Sequence, residues 1–254
     1  MKPPTELLRR INEKYPWPQV RPAAEPVPWS MDYGGRELIT DLFPSRQLSL
    51  VIELGSFVGG SARQWLEAGP QVAVICIDPW PDSVGRTPFV ETHPVGGRFR
   101  RQFHEPDGLY HSFLSTMWDV QDRVVAVRGG AMKKLPELRA LGVVPDLIYI
   151  DTDKTGSEIA LCDELFPDAL IAGDDWNWSD GHGFPVREPA RESARKRHRT
   201  LKTYWNTWLI DDQPWTIRER LNRLRLSPRS ILQVCRALIL RSKGQDSCGT
   251  PRHG

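Results

Sequence analysis

The sequence predicts a doubly wound α/β fold built on a mostly parallel sheet, and three observations carry that prediction. Short apolar runs of strand length recur at 49–54, 71–78, 123–127, 146–151 and 169–173, with stretches of helical length between most of them. These runs are continuous rather than alternating, which is the mark of parallel strands covered on both faces. Two further runs, 200–204 and 207–210, are separated only by Trp205 and Asn206. That spacing reads as a hairpin ending and not as another βα unit.

Taken in order, residues 5–14 read as a short helix, followed by an extended arm rich in Pro and Trp as far as residue 35. Residues 36–44 read as a helix leading into the core. The first strand, 49–54, runs into a helix that starts near Ser61. The second strand, 71–78, carries Val72, Val74, Ile75 and Ile77. A long segment, 79–122, then separates it from the third. Its first part is rich in Gly, Pro and Arg, and 109–120 reads as helix. A long connection at the carboxyl end of a strand suits a lid or a substrate wall, and a plain surface loop is the alternative.

The chain has 254 residues, a length that suits one α/β domain with short appendages and buries a core without disulfides. We expect an arm and helix at 1–47, the α/β domain at 48–210 and a basic helical tail at 211–254. The tail holds nine Lys/Arg against four Asp/Glu, whereas the whole chain has a net charge of only +2. The body therefore lacks the basic face that nucleic-acid binding needs. The tail reads as two basic amphipathic helices, 216–226 and 228–241. That pattern suits a membrane surface or a partner, though packing on the body is its commoner use. A homo-oligomer is compatible with the sequence.

The four cysteines (Cys76, Cys162, Cys235 and Cys248) form no CxxC pair and no metal-ligand spacing. Reduced thiols and a soluble, cytoplasmic protein are the expectation, since neither a signal-peptide core nor an apolar run of membrane length occurs.

Chemistry concentrates at strand ends. Glu53-Leu54-Gly55-Ser56-Phe57-Val58-Gly59-Gly60-Ser61 is a strand end, a glycine turn and a helix start. Gly55 suits a tight turn, Gly59 and Gly60 let the helix begin close to a ligand, and Ser61 is the expected cap. An ordinary βα turn is the plain alternative. A dinucleotide site would need a glycine where Phe57 stands, so that backbone could approach a pyrophosphate. Phe57 leaves a ligand with a smaller charged end, and Glu53 is placed to face a cation. Asp78 ends the second strand, where a carboxylate accepts ribose hydroxyls or caps the loop that follows. Gly129 and Gly130 end the third strand and permit close approach of a flat base, or form a simple turn.

A second cluster is acidic. Asp151 and Asp153 follow the fourth strand, and Asp174 and Asp175 follow the fifth. Neighbouring parallel strands deliver their ends to one edge, so four carboxylates should converge. Carboxylate oxygens suit Mg²⁺, Mn²⁺ or Ca²⁺; helix capping and solvation are the alternatives. Trp176 and Trp178 follow and suit a planar or sugar-like substrate surface, or core packing.

Together these residues resemble the class I methyltransferases that use S-adenosylmethionine (SAM). The residues concerned are Glu53-Leu54-Gly55-Ser56 with Gly59 and Ser61, Asp78, Ile150-Asp151-Thr152-Asp153, and Ala172-Gly173-Asp174-Asp175. Macrocin and other sugar O-methyltransferases, with the cephalosporin-hydroxylase-like proteins beside them, form the branch it resembles most, over about residues 48–210. The resemblance implies a Rossmann-like, seven-stranded sheet with an antiparallel last strand. It implies a SAM pocket lined by Glu53, Gly55, Ser56, Gly59, Ser61, Asp78, Gly130 and Asp151. It also implies Mg²⁺ at Asp151, Asp174 and Asp175, and Asp153 as general base. Three departures stand out. Lys154 replaces a common His, the segment after Asp153 is about a helical turn short, and Pro167-Asp168-Ala169 replaces Pro-Gly-Gly.

The activity expected is O-methylation of a hydroxyl on a small molecule or sugar. Its rivals are a nicotinamide-dependent oxidoreductase, a metal-dependent hydrolase using the Asp cluster, and a non-catalytic partner-binding relative.

Overall fold

The computed structural model describes residues 5–28, 35–81, 94–152, 156–217 and 219. The chain divides into two compact units, Met1–Pro214 and Trp215–Gly254. The basic helices expected at 216–226 and 228–241 lie almost wholly outside the described residues.

The first unit opens with helices α1 (Thr5–Lys14) and α2 (Gly35–Leu42). Strand β1 (Leu50–Leu54), helix α3 (Gly60–Ala68) and strand β2 (Ala73–Asp78) follow. Next come α4 (Pro94–His104), α5 (Gly108–Met117), a 3-10 segment (Trp118–Arg123) and β3 (Val124–Arg128). Then α6 (Ala131–Ala140), β4 (Leu147–Ile150), α7 (Ser157–Leu165) and β5 (Leu170–Gly173) alternate. Helix α8 (Arg187–Lys196) and the hairpin of β6 (Thr200–Tyr204) and β7 (Thr207–Asp211) complete it.

The seven strands form one sheet in the order β3-β2-β1-β4-β5-β7-β6. β1 to β5 are mutually parallel, and β7 runs antiparallel to both of its neighbours. This is the doubly wound, Rossmann-like sheet that the sequence predicts. The last strand is not at the edge, because the two-residue turn folds β7 back between β5 and β6. All of β1 is buried, as its continuous apolar run requires. One face packs α1, α6, α7 and α8 residues such as Ile11, Leu135, Ile159 and Ala190 against Ile52, Ile75 and Ile148. On the other face Trp65 of α3 meets Tyr149 of β4 edge to face, with ring centroids 5.5 Å apart.

Two sequence expectations change here. The first part of the 79–122 segment contains a full helix, α4, which its Gly96-Gly97 pair and Pro94 obscured. Phe99 packs on Phe103, and Phe103 on Phe57, and this tertiary packing overrides the weak helix propensity of glycine. The arm is also no free extension. Trp17 Nε1 donates to the Val124 carbonyl (3.0 Å), the Val27 N–H to Thr116 Oγ1 (3.0 Å) and Ser115 Oγ to the Pro22 carbonyl (3.1 Å). Among the described residues no helix is long and apolar enough to cross a membrane.

Candidate active site

The registers bring the carboxyl ends of four strands level: Leu54 pairs with Ile77 and with Ile150, and Ile150 pairs with Gly173. Backbone bonds continue past the ends. The Gly55 N–H donates to the Ile77 carbonyl (2.8 Å), the Asp151 N–H to Leu54 (2.8 Å) and the Asp174 N–H to Ile150 (3.1 Å). The predicted cofactor turn and the predicted acids are thus parts of one edge, where open α/β sheets bind their ligands.

Gly55 has a φ of +84°, and a Cβ there would lie 1.9 Å from the Asp151 carbonyl oxygen. Only glycine allows β1 to turn this close to the end of β4. Gly59 has a φ of +87° and takes the cap position of α3, with no side-chain capping bond. The expected cap, Ser61, lies instead within the first turn, because the left-handed Gly59 starts the helix two residues earlier.

Glu53 is completely buried, and neither carboxylate oxygen has a hydrogen-bond partner. Burial pushes its pKa up to about 7, with the nearby Ser61 and Ser56 hydroxyls pulling it down and the Asp151 and Asp78 carboxylates pushing it further up. Ser56 is itself buried, with its hydroxyl unpaired. A buried, unpartnered acid beside two further carboxylates is costly unless a cation joins it. The residues here therefore fit a ligand with a positively charged end.

Of the two roles that the sequence left open, Asp78 performs the capping one. Its Oδ2 accepts the Phe57 N–H (2.9 Å) and its Oδ1 the Trp80 N–H (2.7 Å). Burial raises its pKa, and these two backbone donors oppose that rise. Each carboxylate oxygen can accept a second bond, so ribose hydroxyls remain within its capacity. Phe57 adopts a left-handed φ of 46°, and its carbonyl accepts Trp80 Nε1 at 2.6 Å. Trp80 is fully buried, with its ring against Tyr110 and Phe113 at 5.1 and 4.6 Å between centroids. Sequence reading missed Trp80, whose neighbours Pro79 and Pro81 signal only a turn. Gly130 caps α6 from an extended conformation, and a Cβ there would meet nothing within 4 Å. That opening leaves room beside the end of β3.

Asp151, Asp174 and Asp175 line one small cavity of about 20 Å³ with Thr152, Gly156, Glu158, Val186 and Trp208. Such a space holds about one water molecule. Asp151, Asp174 and Asp175, the expected divalent-cation ligands, thus share this cavity among the described residues. Among them no three His, Cys, Asp or Glu side chains form a metal-ligand set. Asp174 Oδ1 accepts Asn206 Nδ2 at 3.0 Å, and Asp175 is turned by a left-handed φ of 64°. Asp153, the expected general base, lies outside the described residues.

Asn206 is a second residue that the sequence did not reveal. From the β6–β7 turn it reaches Asp174, while its carbonyl accepts the Trp176 N–H (2.7 Å) and its Oδ1 the Asn177 N–H (2.8 Å). Trp176 is half-buried against the core, whereas Trp178 is exposed.

No family model matches the sequence, and no curated protein matches it. The structure is similar to several solved methyltransferase structures at low identity. TomG from Streptomyces achromogenes, an O-methyltransferase of tomaymycin synthesis in complex with SAM, is 15% identical with a TM-score of 0.48. That match covers 82% of this chain and 89% of TomG. A candidate caffeoyl-CoA O-methyltransferase from Staphylococcus aureus is 15% identical with a TM-score of 0.49, covering 82% of this chain and 92% of that one. MycE of mycinamycin biosynthesis, in complex with Mg and S-adenosylhomocysteine, is 12% identical with a TM-score of 0.43, covering 83% of this chain and 49% of MycE.

Proposed function

We propose that this protein is a SAM-dependent methyltransferase acting on a hydroxyl group of a small molecule. The observation that carries the reading is Glu53. A fully buried acid with both oxygens unpartnered stands directly before a left-handed glycine turn, with Asp78 across from it at the end of β2. A ligand with a cationic amino-acid end and a ribose satisfies both. Phe57 stands where a pyrophosphate-binding turn needs glycine, which disfavours the nicotinamide alternative.

When bound, SAM supplies a methyl group on a positively charged sulfur, open to attack by an oxygen lone pair. The chain's own work is positioning, which supplies most of what an in-line transfer needs. Glu53 neutralises the cationic end and Asp78 holds the sugar hydroxyls. Gly55 and Gly59 let backbone approach the ligand, Gly130 leaves space for the base, and Ser56, Ser61 and Asp151 complete the wall. Asp153, just past β4, is assigned the hydroxyl proton on its place in the sequence. The macrocin-like branch, a sugar acceptor, a cytoplasmic location, and separate roles for the arm and the tail belong to the same proposal.

Isothermal titration with SAM and S-adenosylhomocysteine tests the reading. Binding is expected, weakened in Asp78→Ala. Absence of binding to either compound in the wild-type protein would sink it. Turnover in excess EDTA tests the metal separately: loss of activity restored by Mg²⁺ would bring Asp151, Asp174 and Asp175 in as ligands.

A further inference from the structure

Arg187 opens helix α8 beside the acidic edge, next to Val186, which lines the same small cavity as Asp174 and Asp175. Its guanidinium is fixed from several sides. Nε donates to the Trp176 carbonyl at 2.8 Å, and Nη2 donates to Asn177 Oδ1 at 2.7 Å. The group also lies over the Phe184 ring, 3.6 Å from its centroid, and 5.5 Å from the centroid of Trp176.

Arginine has five donors in a planar fork. The edge formed by Nε and Nη2 is used by the Trp176–Asn177 loop. The opposite edge, Nη1 with the second Nη2 hydrogen, has no acceptor among the described residues. No carboxylate among them pairs with Arg187 either. Glu188 next to it is engaged by Arg191 and Arg195. A rigid guanidinium with one free edge matches a carboxylate in bidentate geometry, and little side-chain entropy is left to lose.

The surroundings are aromatic and open. Phe184, the ring under the guanidinium, is 43% exposed, where large apolar side chains more often bury. An exposed ring beside a half-buried one, with a cation between them, suits a flat ligand.

We propose that Arg187, flanked by Phe184 and Trp176, is the specificity-determining residue for the acceptor, and that the acceptor is a flat molecule carrying a carboxylate. The proposal rests on the methyltransferase reading for its role in turnover, whereas recognition of the anion stands on Arg187 itself.

Titration with 3,4-dihydroxybenzoate and its methyl ester tests this, using both the cofactor-free protein and the protein loaded with S-adenosylhomocysteine. The acid is expected to bind about tenfold or more tightly than the ester, the size that a charge-assisted pair supplies. Arg187→Gln is expected to reduce the acid to the ester's affinity, with S-adenosylhomocysteine binding unchanged. Equal affinity for acid and ester, no binding of either, or a loss in Arg187→Gln shared by both would overturn the proposal. The wild-type comparison decides the matter even if the variant fails to fold. Discrimination between acid and ester without S-adenosylhomocysteine binding would keep Arg187's role and sink the methyltransferase reading. Cofactor binding without discrimination would do the reverse.

Discussion

The Oδ2 atom of Asp78 accepts the backbone N–H of Phe57 at 2.9 Å. The acid at the end of β2 therefore holds the turn that follows β1, and the two halves of the candidate cofactor site are one hydrogen-bonded unit. Trp80 closes the unit through its own N–H to Asp78 and its indole to the Phe57 carbonyl.

Asp78→Ala is accordingly expected to act twice. It removes two backbone bonds to a carboxylate, which should lower stability by about 2–4 kcal/mol, read as the shift in urea midpoint. It should also weaken SAM binding beyond what Phe57→Leu does, since that variant keeps the backbone latch. Unchanged stability in Asp78→Ala would show that the latch carries no weight.

Glu53 gives a prediction with a definite sign. Its pKa rises from 4.5 to about 7 on folding, so the folded state disfavours its ionised form. No penalty exists below the unfolded value; it grows between pH 4.5 and about 7 and is complete above that. The size is on the order of 3 kcal/mol for a group this buried. Glu53→Gln should therefore raise the urea midpoint of the ligand-free protein at pH 8 and leave it nearly unchanged at pH 4.5. SAM affinity should run the other way. A cation favours the ionised acid, so wild-type affinity should improve about tenfold from pH 6 to pH 8, and Glu53→Gln should bind weakly with no such slope. Parallel pH profiles for the two proteins would contradict this.

The glycines should differ in their tolerance. An alanine Cβ at Gly55 meets a backbone carbonyl at 1.9 Å, whereas at Gly59 it meets the end of the Met117 side chain at 2.9 Å. Both positions have positive φ. Gly55→Ala is expected to cost roughly 3 kcal/mol or more, and Gly59→Ala about 1–2 kcal/mol, because Met117 can yield and backbone cannot. Chemical denaturation of the two variants side by side checks the order.

Asp174 lies at the other end of the site and bonds Asn206 across the β5–β7 junction. Asp174→Ala is expected to lower turnover by loosening this wall of the site while S-adenosylhomocysteine still binds with the wild-type affinity, because the Glu53–Asp78 half is untouched. Asn206→Ala should lower turnover to a lesser degree. Lost cofactor binding in Asp174→Ala would mean that the two halves of the edge are coupled.

The sequence by itself determined the strands, their parallel order through β5, the hairpin ending and the glycine turn with its flanking acids. These are written in local signals: continuous apolar runs, a two-residue turn, and Gly or Asp placed where a strand must stop. Only the tertiary structure decided which partners those residues meet. Helix α4 exists because Phe99 packs on Phe103 and Phe103 on Phe57, against a local composition that points to a loop. Glu53 becomes unusual only once the sheet buries it, and Trp80 and Asn206 join the site through contacts that no local pattern announces. Asp151, Asp174 and Asp175 share an edge as predicted, but Asn206 takes up one Asp174 oxygen and a left-handed turn re-aims Asp175. Periodicity records which face of an element is apolar; desolvation and hydrogen-bond partners depend on contacts between segments far apart in sequence, and no local pattern encodes those.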